Sequence, residues 1–326
     1  MAQIANTYDT YSTRGIREEL SDVIYRISPE ETPLISNIGR GETVGQPYYE
    51  WQNDALAAAG ANDQIEGDDY TSFPAVTPTT RLANYVQIST KQVIVSGSNE
   101  KAVAAGRKSE LAYQLALRSA ELKRDMEFIA SQNQAARAGS NAQSRRTAGI
   151  ESFLRTNTNR GTGGAPAGAN PTLSGTTQGF PNAAPVDNST TRAFTETILR
   201  SVMQSCFTSG GKPSMLLVGP AQKQVVSTFA GIAQQRRDTG DSAAVIIGAA
   251  DVYLSDFGKL NVVPSRFSRN RTALFLQPEY AGLVTFRPFQ QIELAKTGDA
   301  EKRLLLVEWG TKVMHEAAHG VAADLA

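Results

Sequence analysis

Apolar residues recur at helical spacing in Ile16, Leu20, Val23, Ile24 and Ile27, which predicts a short amphipathic helix. The first 15 residues carry Gln, Asn, Thr, Tyr and Ser without periodicity and read as an extended arm. Ser28, Pro29 and Glu31 form a helix-start signature: a cap, a proline at the first helical position and a capping-box acid. Leu34, Ile35 and Ile38 supply the buried side of that second helix, and Gly39 and Gly41 end it.

Tyr48 to Leu56 reads as a strand. A polar stretch from Ala57 to Thr80 follows, with Asp63, Glu66, Asp68 and Asp69. A loop of this length needs a reason in a compact domain. Val86, Ile88, Val93 and Val95 alternate with polar residues and predict a long strand or hairpin arm, with 57–80 at its tip. From Arg107 to Ala138 there are 32 residues without Gly or Pro. Leu111, Leu115, Leu122, Met126 and Ile129 fall at helical spacing there, among the acids Glu110, Glu121, Asp125 and Glu127. Ser109 is the predicted cap and Gly139 the stop. Ser109 to Arg137 would make a rod of roughly 43 Å.

Gly161 to Val186 contains no charge, six Gly and four Pro, and reads as a loop or flexible insertion. Beyond it, Phe194, Ile198, Leu199, Val202 and Cys206 mark a helix stopped by Gly210-Gly211. Met215–Val218 is a buried strand, and Gly219-Pro220 opens another helix through Phe229. Strands are then expected at 245–247, 252–254, 260–263, 273–276, 292–295 and 304–313. Helices and antiparallel strands group separately, so the class is α+β.

Composition narrows the function. The chain has 326 residues with Lys+Arg 32 and Asp+Glu 32, so its formal net charge is zero. A dedicated nucleic-acid binder shows a basic excess that is absent here, and neutrality offers little repulsion between copies. One cysteine, Cys206, excludes an intramolecular disulfide framework and a cysteine metal cluster. No apolar run approaches the ~20 residues of a membrane span. The N-terminus lacks a signal-peptide core, so cytoplasmic synthesis is expected and the sequons at Asn188 and Asn270 read as chance matches.

His315-Glu316-Ala317-Ala318-His319 matches the zinc-protease pattern in which a helix presents two imidazoles and a basic Glu. The reading lacks a third ligand: seven residues follow His319, with Asp324 the sole candidate, and the chain has no other histidine. Two surface or rim histidines are the alternative. Gly106-Arg107-Lys108-Ser109 lacks the glycine spacing of a phosphate loop. Asp68-Asp69 reads as a solvated pair. Arg145-Arg146, Arg236-Arg237 and Arg266, Arg269, Arg271 read as solvated arginines or partners of acids on other subunits, with phosphate contact the rival use.

The blocks Thr7-Tyr8-Asp9-Thr10, Gly15 to Asp22, Ile27 to Pro33, Glu50-Trp51-Gln52, Arg146 to Gly149, Leu294 to Lys302 and Glu316 to Gly320 together resemble the tailed-phage major capsid (major head) proteins. They span nearly the whole chain in order. The resemblance implies the Johnson fold, with an arm and short helices at 1–48, an extended loop and peripheral strands at 49–98, and the spine helix within 99–155. It further implies a surface or intercapsomer loop at 156–192, an axial domain at 193–300, and a strand at 301–326 returning to the peripheral domain. On it the chain is not an enzyme and needs no cofactor. It assembles with itself into hexamers and pentamers, forming an icosahedral head around double-stranded DNA, assembled in the host cytoplasm. Further partners implied are a portal protein, a scaffold or decoration protein and non-specific contact with the packaged DNA, with no membrane. The intersubunit contacts expected are Asp63, Glu66, Asp68, Asp69, Arg145, Arg146, Arg236 and Arg237. The rival function is a zinc-dependent hydrolase built on residues 315–319.

Overall fold

A computed structural model of the chain describes residues 31–67, 69, 73, 75–102, 106–229 and 251–326. The arm, the helix expected at 16–27, the Ser28-Pro29 start, the strand at 245–247, Asp68, Arg236 and Arg237 lie outside the described residues.

Thr32 precedes α1 (Pro33–Asn37), which carries proline in its first turn. Gly39 and Gly41 do not simply end this helix. They lie in β1 (Gly39–Thr43), which runs parallel to β12 (Ala281–Glu293). Next come β2 (Tyr48–Asn53), β3 (Thr80–Tyr85), β4 (Gln87–Ser96) and the short α2 (Gly97–Lys101). Strand β4 keeps its period of two, burying Ser89, Val93 and Val95. Ile88 therefore points outward at 50% exposure, on the opposite face from Val93, because the two differ by an odd number of positions.

The long helix starts as expected: Ser109 Oγ accepts the Ala112 amide, opening α3 (Glu110–Ser131). It stops six residues before Arg137, and its 22 residues span about 33 Å. Good helix formers continue past Ser131, so tertiary bonding ends the helix. Gln132, Asn133 and Gln134 donate their side-chain amides to the carbonyls of Phe267, Pro185 and Thr147, and the Ala136 amide donates to Pro181. The backbone of Gly149 approaches the Gln132 carbonyl so closely that a Cβ there would collide with it.

Residues 161–186 form a largely exposed loop, as expected, but one pinned to the body at several points. The segment includes β6 (Thr172–Leu173) and β7 (Pro181–Ala183), with Leu173 and Pro181 buried. Its backbone finds partners outside regular structure. Gly179 bridges the edge of β3, accepting from Ala83 and donating to Arg81. The buried Asp324 carboxylate accepts the amides of Gly161 at 2.9 Å and Asn188 at 2.7 Å.

The remaining elements are β5 (Thr158–Asn159), α4 (Glu196–Thr208), β8 (Met215–Val218), α5 (Pro220–Val226), β9 (Val252–Ser255), β10 (Gly258–Pro264), β11 (Thr272–Leu276), β13 (Ala300–Val313) and β14 (Gly320–Ala323). Two larger sheets form, ordered β1-β12-β13-β4 and β5-β14-β11-β8-β10-β9. The chain moves between them in a way the 193–300 and 301–326 division does not follow. After β11 the chain leaves the six-stranded sheet for β12, which pairs with β13, and β14 returns to it beside β11. Strands β8, β11 and β14 of the six-stranded sheet are buried on both faces. Leu216, Val218, Ala273 and Phe275 join Leu199, Val202, Met203 and Val226 of α4 and α5 in one core. The alternating Met215, Leu217, Leu274 and Leu276 join a second core with α3, Trp309 and the root of the β2–β3 hairpin.

Candidate functional site

Strands β2 and β3 pair antiparallel over six positions, from Tyr48↔Tyr85 to Asn53↔Thr80. Period two divides β2 between two roles. Tyr49 and Trp51 turn inward, stacked with ring centroids 5.9 Å apart. The Tyr49 hydroxyl donates to the Thr311 carbonyl at 2.6 Å, and Trp51 lies against Phe153. Burial drives the Tyr49 pKa well above its ordinary value, so the phenol remains a donor. Opposite, Asn84 is fully buried and satisfied. Its amide donates to Thr147 Oγ1 and the Thr311 carbonyl, and its oxygen accepts from the Tyr85 and Ala148 amides. On the outer side Tyr48, Tyr85 and Phe180 cluster at 5.0 to 6.4 Å.

Among the described residues beyond this root, the chain buries almost nothing. Leu56 is 99% exposed, Ile65 80%, Phe73 84% and Val76 92%. Four large apolar side chains on one loop, all in water, mark a surface that something else covers. Asp63, Glu66 and Asp69 are exposed beside them and take no ion pair among the described residues. No Lys or Arg occurs from 41 to 80, so the loop is purely acidic.

The expected arginines behave differently. Arg145 donates to Glu308 at 3.0 Å and to the Val86 carbonyl. Arg146 donates to the Ala135 carbonyl, and burial lowers its pKa. Arg269 pairs with Glu151 and Asp187, and Arg271 donates to the Asn188 carbonyl. Glu151, fully buried, has its carboxyl pKa raised by desolvation despite Arg160 and Arg269 beside it. Arg266 is exposed.

The histidine string does not form the zinc-protease helix. His315 caps a 3₁₀ turn at Glu316–Ala318, and His319 follows it in extended conformation. The expectation of two surface or rim histidines is corrected for His319, which is fully buried. Its Nδ1 accepts the Gln277 amide at 3.2 Å, leaving Nε2 to donate to the Tyr280 carbonyl at 3.2 Å. Both ring nitrogens are committed, and burial lowers the pKa to about 4. Glu316 accepts from the amides of Arg155 and Thr156 and from the Thr156 hydroxyl, an anchoring role. Asp324 holds the two loop amides. Among the described residues no group of three His, Cys, Asp or Glu is placed to hold a metal. His315 lines a cleft of about 230 Å³ at the base of the hairpin loop, with Asp54, Thr80 and Arg155.

The exposed apolar loop was foreshadowed by its length. The locked root was not, because Asn84 meets Thr311 across 227 positions, beyond any local pattern.

Comparison with known proteins bears on what covers the loop. Residues 3–326 match the family model for the SU10 major capsid protein. The chain is 26% identical over 344 residues to the major capsid protein of Escherichia phage Phieco32, covering 96% of this chain and 95% of that one. Its fold is similar to the cyanophage A-1(L) capsid asymmetric unit, with TM-score 0.69 and 13% identity over 97% of this chain and 98% of the other. It is also similar to the phage G major capsid structure solved with decoration proteins, with TM-score 0.55 and 12% identity over the full length of both.

Proposed function

The chain belongs to the SU10 major capsid protein family, and we propose that it closes its shell as hexamers and pentamers around double-stranded DNA. Its fold is the Johnson fold of phage capsids, and its function is that of a major capsid protein of an icosahedral phage head. The observation that carries the assembly reading is the contrast within one hairpin. Its root is locked by the hydrogen bonds of the buried Asn84 and Tyr49, whereas Leu56, Ile65, Phe73 and Val76 beyond it stand in water. A subunit that presents apolar side chains on a firmly rooted loop gains by burying them on a neighbour, in a head-to-tail contact that closes into a ring.

In this proposal β2, β3 and residues 54–79 are the extended loop, and α3 is the spine. The sheet β1-β12-β13-β4 with α3 is the peripheral domain, and β5-β14-β11-β8-β10-β9 with α4 and α5 is the axial domain. Strand pairing supports moving 281–293 out of the axial unit and 320–323 into it. Of the 1–48 arm and short helices, residues 1–30 are the part that would reach a neighbouring copy. Asp63, Glu66, Asp68 and Asp69 face basic groups of a neighbouring copy, for which Arg236 and Arg237 are the candidates from sequence. Arg145 and Arg146 already hold partners within the chain and brace the hairpin root instead. A portal protein, scaffold or decoration proteins and the packaged DNA are the further partners, and assembly takes place in the host cytoplasm.

Electron microscopy and sedimentation of the expressed protein test the reading. Rings and closed particles are expected. A monomer at all concentrations and salt conditions would overturn it.

A further inference from the structure

One buried carboxylate touches three parts of the fold at once. Glu127 lies on α3 and is fully buried. Its Oε1 accepts the Leu34 amide at 2.9 Å, and its Oε2 accepts the Ile35 amide at 2.9 Å, both from α1. The Ser265 hydroxyl donates to the same Oε1 at 3.3 Å. Ser265 is itself buried and accepts the Phe267 amide at 3.3 Å. The turn holding these residues joins β10 to β11 in the six-stranded sheet, and its Phe267 carbonyl accepts from Ser131 and Gln132 at the end of α3. No basic side chain pairs with Glu127 among the described residues. Desolvation raises its carboxyl pKa against the pull of these three bonds.

We propose that Glu127 and Ser265 form a joint that couples the seating of α1, where the first 30 residues enter the body, to the 264–271 turn of the six-stranded sheet. The bonds converge on the carboxylate: the Leu34 amide and the Ser265 hydroxyl both donate to Oε1, the Ile35 amide donates to Oε2, and the Phe267 amide donates to the Ser265 oxygen. Only the leg from Phe267 through Ser265 to Glu127 runs in series, so those two bonds strengthen each other. At the carboxylate the donors share one charge, and a buried carboxylate without a cation holds its remaining donors harder when one is lost. A pull on α1 therefore tightens the Ser265 bond, and movement of the turn tightens the hold on α1. An intersubunit contact made by residues 1–30 would thus be felt in the six-stranded sheet on the other side of α3. That consequence rests on the arm reading, whereas the joint itself does not.

Amide exchange on the full chain as free subunits tests the joint separately from assembly. S265A removes only the hydroxyl, which touches neither α1 amide. It is expected to lower exchange at Leu34 and Ile35 by about two-fold, part of the worth of one hydrogen bond, because the carboxylate then leans on fewer donors. E127Q keeps one carbonyl-type oxygen for Leu34 and turns a donor toward Ile35. It is expected to raise exchange at Ile35 and, across the joint, at Phe267. The double variant should exchange at Ile35 no faster than E127Q alone, because Ser265 acts there through Glu127. If S265A alters only 264–268 while E127Q alters only 33–38, the joint does not exist. Should one variant fail to fold, the reciprocal measurement on the other decides. Coupled exchange in subunits that never assemble would retain the joint and overturn the arm reading.

Discussion

Arg145 reaches Glu308 at 3.0 Å across 163 positions of chain, and Arg287 takes the other oxygen of the same carboxylate at 3.1 Å. Glu308 is 5% exposed, so one nearly buried acid holds two arginines between the β12–β13 pair and the segment leading to the 3₁₀ turn at 150–153. Removing it would leave Arg287 without this partner and Arg145 with only the Val86 carbonyl. A fully buried pair broken this way costs 3–5 kcal/mol, but both arginines keep some water contact, so about 2 kcal/mol is expected for Glu308→Ala. Urea unfolding of the free subunit measures this. A loss below about 0.5 kcal/mol would show that the cluster contributes little.

The loop residues make the opposite prediction. Leu56, Phe73 and Val76 touch almost nothing in their own chain. Replacing Phe73 and Val76 with serine should therefore leave subunit unfolding within about 0.5 kcal/mol of wild type. Burying a Phe or Val contributes about 1.5–3 kcal/mol, so the protein concentration needed for assembly should rise at least about ten-fold. Light scattering against concentration reads the threshold. An unchanged threshold would mean that the neighbour does not cover this loop.

His319 gives a pH dependence with a definite sign. Its pKa falls from 6.5 in the unfolded chain to about 4 in the fold, because burial disfavours the imidazolium. The unfolded chain thus binds more protons between these values. The stabilisation is fully present above pH 6.5 and is lost as pH falls toward 4, by up to about 3 kcal/mol. Unfolding free energies at several pH values, compared between wild type and His319→Asn, isolate this slope from that of the carboxylates. Parallel curves for the two proteins would refute it.

These residues also show where the sequence was readable. Ser109 as the cap of α3, the buried strand 215–218 and the Gly219-Pro220 helix start all rest on local chemistry, and all stand in the structure. The premature end of α3 does not rest on local chemistry. Gln132 and Gln134 are good helix residues, and with Asn133 their side chains find carbonyls 13 to 135 positions away. Glu127 looked like one more acid on a mixed helix face, until α1 and the 264–271 turn closed over it. His319 fitted a surface residue as well as a ligand, because nothing local announces the Gln277 and Tyr280 backbone that encloses it. The uncharged 161–186 segment looked loose for the same reason, since Asp324 and β3 supply its order from a distance. At the candidate site, the length and acidity of the loop were legible, while the Asn84–Thr311 root that makes it a firm presenter was not.

The same loop predicts how the shell is held. A covalent amide link from the loop to a neighbour needs an amine, and residues 41–80 contain no lysine. Arg81 is no substitute, because its guanidinium stays protonated and is a poor nucleophile. The next amine, Lys91, faces α3, 2.7 Å from Asp125 and 3.8 Å from Glu121, where it is held as a charged partner. Contacts between copies are then expected to rest on apolar burial and on the acids of the loop. Exposed ion pairs contribute only about 0–1 kcal/mol each and are screened by salt. Raising salt should weaken the acidic contacts, while a kosmotropic anion such as sulfate strengthens the apolar ones. Sulfate should therefore lower particle yield less in Phe73-containing protein than in the Phe73→Ser, Val76→Ser variant. Mature particles boiled in detergent should run as one band near 35.0 kDa. A ladder of multimers surviving detergent and reductant would place a bond-forming pair elsewhere in the chain and would remove the non-covalent account of the shell.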